Sequence, residues 1–302
     1  MKTAETIYAE LIQDLQTIEE RIIARSPFGI ESVVHRVEVL VDNTGLIQEL
    51  LSLTMKKTPP EADYLSSHQV NDMIYCLKIA MGLQYSRTEL IEAGVAGLLH
   101  DVGMYLLPKE ILFKPGELDS SEINILRSHA ELGREILSPF AAQYPFLPEV
   151  AYQHHERENG SGYPGGLRGT QIHKYAQIIC LLDCYEAMTH NRPNRKALNQ
   201  TFSAKELVID FKQGEFHPRV IKAFLEEITV YPPGSFVQLN NNFVCEVVAT
   251  SRSNPLRPDV KICLDHLGNR VEEEQIIKLR ESPVLFITDC LSPDSLPRHL
   301  RS

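Results

Sequence analysis

Two pairs of adjacent polar residues are the features of this chain best suited to chemistry. His154 and His155 stand directly before a glycine-rich run, and His100 and Asp101 end an apolar stretch with helical spacing. Each imidazole carries two ring nitrogens that need a hydrogen-bond partner or a metal ion, so adjacent imidazoles have no use in a packed apolar core. The two pairs together predict a metal cluster held between helices.

Helical periodicity indicates how these residues would meet. Consecutive helical residues project about 100° apart, so His100 and Asp101 cannot chelate one ion from one helix face. They suit the end of a helix beside two neighbouring ions, with the carboxylate as a bridge. His129 lies on an apolar stripe that faces inward, and Asp183 shares a face with small and apolar residues. A buried carboxylate without a partner is costly, and a cation removes that cost.

The rest of the pattern predicts a mainly α protein. Ile7, Leu11, Leu15 and Ile18 form a helical stripe, and such stripes recur through most of residues 1–230. After residue 231, short β-rich runs alternate with Asn, Gly and Pro turns. We therefore expect an N-terminal helical region over residues 1–58, a helical catalytic domain over residues 59–230, and a small β-rich C-terminal extension over residues 231–302.

The composition disfavours several classes of function. The formal net charge of −10 over 302 residues argues against binding to DNA or to an anionic membrane. No apolar run approaches the roughly 20 residues that a membrane-spanning helix needs, and the N-terminal residues lack the pattern of a signal peptide. The six cysteines are scattered without a C-x-x-C pair, as is typical of reduced thiols. We expect a cytoplasmic protein.

The order of the polar residues resembles the HD-GYP family, a bacterial branch of the HD phosphohydrolases. Residues 98–103 are similar to the HD motif of that family, and residues 154–167 are similar to its GYP motif. Residues 183–193 look like its final metal-binding helix, and the segment from residue 231 through residue 258 is similar to its common C-terminal tail. Each motif alone is weak, but in this order they are specific.

The resemblance implies an HD-type helical bundle that hydrolyses cyclic di-GMP to pGpG or GMP at a dinuclear metal centre. By position, the first ion would be held by His68, His100, Asp101 and Asp183, and the second by Asp101, His129, His154 and His155. His100 and Asp101 would be the catalytic residues. The substrate would contact Gly162, Tyr163, Arg192 and Arg195. Mixed imidazole and carboxylate ligands suit two iron ions, with manganese as the alternative and zinc left open.

Three positions depart from the family pattern. Tyr64 stands where three-metal members carry Glu, which favours a two-metal centre. Met104 stands where Lys is usual, so a cation that would face the phosphate is missing. Asn159 replaces the usual Asp. These departures keep a second hypothesis open, a module that binds metal and a nucleotide or a signalling partner protein without efficient turnover. Hydrolysis of another phosphoester is a third.

Simpler structural roles remain for several of these residues. His68 has polar neighbours and could face solvent, while His129 could be a core histidine with satisfied ring nitrogens. Tyr163 could pack its own loop, and Arg192 and Arg195 could be ordinary surface cations. Residues 1–58 could pack on the bundle or form a homodimer surface, and their pattern does not decide between the two.

Overall fold

The computed structural model describes residues 3–54, 64–190, 198, 200–228, 230–231, 233–251, 253–273 and 275–291. The chain divides into two compact units. The first comprises Met1–Ala197 and Asp210–Ile221, and the second comprises Leu198–Ile209 and Lys222–Ser302. Among the described residues, no helix is both long enough and apolar enough to cross a membrane.

The first unit is a bundle of helices. Its helices are α1 (Ala4–Ile23), α2 (Glu31–Asp42), α3 (Thr44–Thr54), α4 (Tyr64–Gly82), α5 (Arg87–Leu99), α6 (Lys109–Leu112), α7 (Ser120–Arg127), α8 (His129–Leu137), α9 (Phe146–Gln153) and α10 (Lys174–Thr189). Helix α4 lies at the centre, where it packs against α1, α3, α5 and α10. The stripe predicted for α1 is buried along its whole length. Residues 3–54 therefore belong to the same unit as the helices that follow.

Glycines allow the closest approaches between these helices. A Cβ atom added to Gly97 on α5 would lie 3.1 Å from the Cα atom of Met73 on α4. At Gly103, which follows α5 in a short 3-10 helix, the added Cβ would lie 2.0 Å from the carbonyl oxygen of His129. Larger residues at these two positions would push α4 and α8 away from the end of α5.

The start of helix α7 follows a local sequence signal, whereas the start of helix α8 does not. Asp119 accepts hydrogen bonds from the backbone of the first turn of α7, and Glu122 bonds back to it, so the capping box is present. The helix that it opens ends at Arg127, and after a turn at Ser128 a separate helix starts at His129. This corner leaves the His129 side chain on the first turn of α8, where it faces the end of α5.

The C-terminal part of the chain is built on a sheet. Helices α11 (Gln200–Lys212) and α12 (Pro218–Glu227) precede five antiparallel strands, which are β1 (Phe236–Leu239), β2 (Val244–Ala249), β3 (Asp259–Leu264), β4 (Ile276–Lys278) and β5 (Ile287–Leu291). Their order in the sheet is β4-β3-β2-β1-β5. Val237 pairs with both Cys245 and Cys290, and alternate residues of β1 and β2 are buried, as period-two patterning requires. The predicted fold class, mainly α with a small β-rich C-terminal part, is confirmed.

Candidate metal centre

The centre is organised around the end of α5. His100 caps this helix, and its Nδ1 atom bonds the carbonyl oxygen of Gly97 at 2.8 Å, which turns Nε2 toward the centre. Asp101 follows and is buried. Its Oδ1 atom lies 3.3 Å from His129 Nε2, and its Oδ2 atom lies 3.6 Å from His68 Nε2. Asp101 therefore presents one oxygen to each of two groups of imidazoles, as a bridging ligand would.

The three-histidine cluster consists of His129, His154 and His155. His129 Nε2 lies 3.1 Å from His154 Nε2 and 3.0 Å from His155 Nε2. The Nδ1 atoms of His129 and His154 bond the carbonyl oxygens of Leu126 and Ala151 at 2.6 and 2.8 Å, so in the neutral rings these are the protonated nitrogens. The Nε2 lone pairs of the two rings then point at each other, an arrangement that a cation between them stabilises.

The His68 cluster consists of His68, Asp72, His100 and Asp183. His68 Nε2 lies 3.4 Å from Asp183 Oδ1 and 3.6 Å from Asp72 Oδ2. The other oxygen of Asp183 lies 3.5 Å from His155 Nδ1, so Asp183 also reaches both clusters. All seven side chains that the sequence predicted as ligands therefore converge on one buried centre. The alternative in which His68 faces solvent is wrong, since the residue is only 3% exposed.

Unpaired buried atoms indicate that these residues fit metal ions. Among the described residues, the buried side-chain atoms without a hydrogen-bond partner include both carboxylate oxygens of Asp72, His100 Nε2 and Asp101 Oδ1. Ligand atoms about 2.1 Å from a shared ion stand roughly 3.0 to 3.5 Å apart, which is longer than most hydrogen bonds. The distances that radiate from Asp101 and His68 fall close to this range. Imidazole and carboxylate donors together suit divalent transition metals.

Electrostatics keep four of these donors, three imidazoles and one carboxylate, in the protonation states that metal binding requires. Burial lowers the pKa of His100 to about 4, and burial also lowers the pKa of His129. Burial and the nearby His154 hold the pKa of His155 well below its usual value. Burial would raise the pKa of Asp101, but the surrounding imidazoles, His129 first, hold it well below its usual value. Neutral imidazoles and an ionised carboxylate are the forms that bind metal.

Glu186 orients His68 from outside the centre. Its Oε2 atom lies 2.6 Å from His68 Nδ1, and its Oε1 atom accepts a hydrogen bond from Asn71 at 3.1 Å. The hydroxyl of Tyr8 on α1 donates to the side-chain oxygen of Asn71 at 3.0 Å. A carboxylate on the far nitrogen fixes the tautomer and the ring orientation of a metal-binding histidine. This row of hydrogen bonds links the N-terminal helix to the centre.

The loop after His155 is folded back on itself. Both carboxylate oxygens of the buried Glu156 accept backbone hydrogen bonds, from Gly165 at 2.6 Å and from Leu167 at 2.9 Å. A Cβ atom at Gly162 would lie 2.4 Å from the carbonyl oxygen of His155, so only glycine fits the closure of the loop. Gly162 thus lies against the backbone of its own loop, and the Tyr163–Pro164 peptide bond is cis.

Tyr163 borders a cavity beside the centre. Its ring stacks on His155 with 4.6 Å between ring centroids, and the guanidinium of Arg127 lies over the same ring at 4.8 Å. The cavity, about 160 Å³ in volume, reaches the metal-binding side chains and has an apolar wall. That wall consists of Leu65, Met104, Ile111, Leu112, Phe113, Leu118 and Leu126. The described lining residues include no lysine or arginine, and Arg192 and Arg195 lie outside the described residues.

The three departures from the family pattern occupy different places. Tyr64 lines the cavity and its ring is parallel to that of His68, with 6.3 Å between centroids. Met104 also lines the cavity. Asn159 lies in the loop, where its side-chain oxygen accepts from the backbone of Ser161 and its NH₂ group donates to the carbonyl oxygen of Gln213 at 3.2 Å. An aspartate could not make the second of these bonds, so Asn159 has a structural role in this loop.

Two carboxylates in or beside the centre were missed by the sequence reasoning. Asp72 follows His68 by one helical turn, and Glu186 follows Asp183 by nearly one turn, so each shares a helix face with a predicted ligand. That spacing was the available signal. The spacing indicates a role in the centre only when the faces of α4 and α10 that point inward are known.

Comparison with known proteins agrees with this geometry. A family model described as HD domain matches residues 48–220, and another described as KOW domain associated with HD domain matches residues 236–299. The chain belongs to the HD domain family. This match and the similar proteins described below together confirm the relationship to HD-GYP proteins that the motifs predicted. The KOW-type region coincides with the strands, which the sequence had indicated only as a small β-rich extension.

Proteins named as phosphodiesterases of cyclic dinucleotides are similar to about three quarters of this chain. A cyclic di-GMP phosphodiesterase of Pseudomonas aeruginosa is 32% identical over 230 residues, which are 76% of this chain and 55% of that protein. A 3'3'-cGAMP-specific phosphodiesterase of Vibrio cholerae is 28% identical over 73% of this chain and 42% of that protein. The chain thus spans about half the length of these relatives.

A solved structure supports the fold. An HDG"Y"P protein from Bdellovibrio bacteriovorus superimposes with a TM-score of 0.57 at 17% sequence identity, over 73% of this chain and 69% of that chain. At this level of identity the likeness concerns the fold, and it agrees with the predicted HD-type bundle.

Proposed function

We propose that this protein is a metal-dependent phosphodiesterase that hydrolyses cyclic di-GMP to pGpG or GMP at a centre of two metal ions. The observation that carries the proposal is the position of Asp101, with one oxygen 3.3 Å from the three-histidine cluster and the other 3.6 Å from His68. This spacing favours a bridge between two ions. Relatives that share the HD region are named phosphodiesterases of cyclic dinucleotides. Iron is the proposed metal, with manganese as the alternative.

The bound ions would supply a water nucleophile for attack at phosphorus and would neutralise charge on the phosphate oxygens. His100 and Asp101, the proposed catalytic residues, hold their ligand atoms toward the centre from the end of α5, and Asp101 also lines the cavity. Burial raises the pKa of Tyr163, so its hydroxyl stays protonated and can donate a hydrogen bond to a phosphate oxygen. The apolar wall that includes Met104 and Phe113 offers a surface for a purine base. Gly162, Arg192 and Arg195 remain proposed substrate contacts.

The test is turnover by protein prepared without oxygen, with its metal content measured by elemental analysis. Wild-type protein should carry two ions per chain and cut cyclic di-GMP, and Asp101→Asn should lose both properties because it weakens the bridge. Failure of the metal-replete protein to cut cyclic di-GMP, where the Pseudomonas relative cuts it under the same conditions, would remove the proposal. Turnover of 3'3'-cGAMP but not of cyclic di-GMP would support the proposed phosphodiester hydrolysis and would contradict the proposed substrate.

A specific observation favours a second candidate, a module that binds a nucleotide without efficient turnover. Met104 lines the cavity, and the described lining residues include no lysine or arginine. Met104→Lys should raise the rate of turnover if the missing cation limits catalysis, and Met104→Leu is the matched control. Nucleotide binding by calorimetry without turnover in any of these proteins would favour the binding module. Absence of both binding and turnover would contradict both candidates.

The proposed location is the cytoplasm. All six cysteines are free thiols in the structure, including the buried Cys76 and Cys180, as expected in a reducing compartment. Fractionation of cells that produce the tagged protein tests this location.

A further inference from the structure

Asp72 is a buried carboxylate that the proposed ligand set does not use. It lies on α4 one helical turn after His68, so both side chains leave the same face of the helix. The residue has no solvent exposure. Its immediate neighbours on α4 include Val70, Met73 and Ile74, which are fully buried apolar residues. An acidic residue in such a run needs a partner that compensates its charge.

Hydrogen bonding does not provide that partner. Neither carboxylate oxygen of Asp72 has a hydrogen-bond partner in the described part of the chain. The nearest imidazole nitrogens are His68 Nε2 at 3.6 Å and His100 Nε2 at 3.7 Å from Asp72 Oδ2. Both distances exceed the usual N–H···O range of about 2.7 to 3.2 Å. They lie slightly above the spacing of roughly 3.0 to 3.5 Å between ligand atoms that share a metal ion.

The orientation of the two imidazoles identifies the point at which Asp72 is aimed. Nδ1 of His68 is occupied by Glu186 at 2.6 Å, and Nδ1 of His100 is occupied by the carbonyl oxygen of Gly97 at 2.8 Å. The Nε2 atoms are therefore the nitrogens available to an ion. Asp72 Oδ2 lies beside these two nitrogens, and His68, Asp72 and Asp183 bring ligand atoms within 4.8 Å of one another.

We propose that Asp72 is an additional ligand of the ion held by the His68 cluster. This inference rests on the metal centre of the proposed function, but it does not depend on the reaction or on the substrate. The first ion would then receive two imidazole nitrogens and three carboxylates, from Asp72, Asp101 and Asp183, whereas the second would receive three imidazoles and only the other oxygen of Asp101. More oxygen donors favour harder ions. The His68 cluster therefore selects manganese or iron over zinc more strongly than the three-histidine cluster does.

Metal content of Asp72→Asn is the first test, because asparagine keeps the shape and removes the charge. Wild type should hold two ions, and the variant should lose more than about 100-fold in affinity for one of them, beyond the effect of typical outer partners. The metal-free variant should unfold at or above the wild-type temperature, because an uncompensated acid has been removed. Glu92→Gln, which neutralises a carboxylate bonded to the Tyr175 hydroxyl, is the control and should retain both ions.

These measurements separate the inference from the proposed function. Two ions of wild-type affinity in Asp72→Asn would overturn the inference. So would an Asp72→Asn protein that, after its metal is removed, unfolds well below the wild-type temperature and, when metal is supplied, binds both ions. Wild-type protein without bound metal would overturn the inference and the proposed centre together. Two ions in wild type, their loss in the variant and no turnover of cyclic dinucleotides would contradict the proposed function alone.

A spectroscopic test reports ligation directly. In Asp72→Cys loaded with cobalt(II), a thiolate at position 72 should bind the ion and produce a sulfur-to-cobalt charge-transfer band in the near ultraviolet. Wild type and Val70→Cys, which places a thiol two residues earlier on α4, should lack that band. Cobalt-loaded Asp72→Cys without the band would overturn the proposal.

Discussion

Replacement of Glu186 by glutamine tests how firmly the structure holds the His68 cluster. The two carboxylate oxygens of Glu186 face three nitrogen groups, which are His68 Nδ1 at 2.6 Å, the NH₂ group of Asn71 at 3.1 Å and His190 Nδ1 at 3.3 Å. Glutamine has one oxygen and one NH₂ group, so at least one of the facing nitrogen groups would meet a donor. The substitution therefore removes the negative charge behind His68 and at least one buried hydrogen bond.

The expected magnitude follows from these two losses. Outer partners of metal-binding histidines change metal affinity by about 10- to 100-fold, which corresponds to about 1.4 to 2.8 kcal/mol at 1.4 kcal/mol per factor of ten. The buried donor left without an acceptor costs a further ~1–3 kcal/mol of unfolding free energy. We expect Glu186→Gln to release the ion of the His68 cluster 10- to 100-fold more readily, and the ion of the three-histidine cluster at the wild-type rate.

The assay is competition with a chelator, followed by elemental analysis of the retained metal. Glu92→Gln is the matched control, since its carboxylate accepts a hydrogen bond from Tyr175 at 2.6 Å and lies outside both clusters. Release of both ions at equally increased rates would show that Glu186 acts on the whole bundle. Affinity within about twofold of wild type would refute the role assigned to Glu186, because even the weakest outer partners change affinity more.

Three other substitutions test the surroundings of the centre. Tyr8→Phe removes a buried hydrogen bond to Asn71 and should lower the free energy of unfolding in urea by about 1 kcal/mol; an unchanged midpoint would contradict this. Gly103→Ala puts a Cβ atom 2.0 Å from the His129 carbonyl oxygen, so metal content and melting temperature should both fall, and a wild-type melting curve would refute the close packing. Asn159→Asp loses only the bond to Gln213, so two ions should remain, and loss of either would show a direct role in the centre.

The sequence predicted much of the centre because its ligands carry local signals. Adjacent histidines and the His100-Asp101 pair are rare in packed cores, and the family order connected them with Asp183. The periodicity that made His129 an inward residue was sufficient, although it ran through a corner at Ser128 that separates two helices. A single turn residue with helical dihedral angles leaves no mark in the apolar pattern, so the break could not be predicted.

What the sequence did not reveal depends on tertiary packing. Asp72 and Glu186 stand among buried apolar residues of α4 and α10, and their spacing from His68 and Asp183 does not by itself indicate what they face. The sheet shows the same limit. Alternation predicted β-rich runs, but the pairing of β1 with β5, which are far apart in the chain, is set by contacts that no local pattern specifies.

The charges of the centre indicate why metal and substrate binding should be coupled. Asp72, Asp101 and Asp183 bring three carboxylates to one buried place, and the described cavity lining includes no lysine or arginine to offset them. A phosphodiester that approached these residues without metal would meet like charge in a region of low dielectric, where repulsion is strong. Two bound divalent ions would offset the charge of these three carboxylates. Among the described residues, therefore, ions bound at this centre would be the main source of attraction for a phosphate.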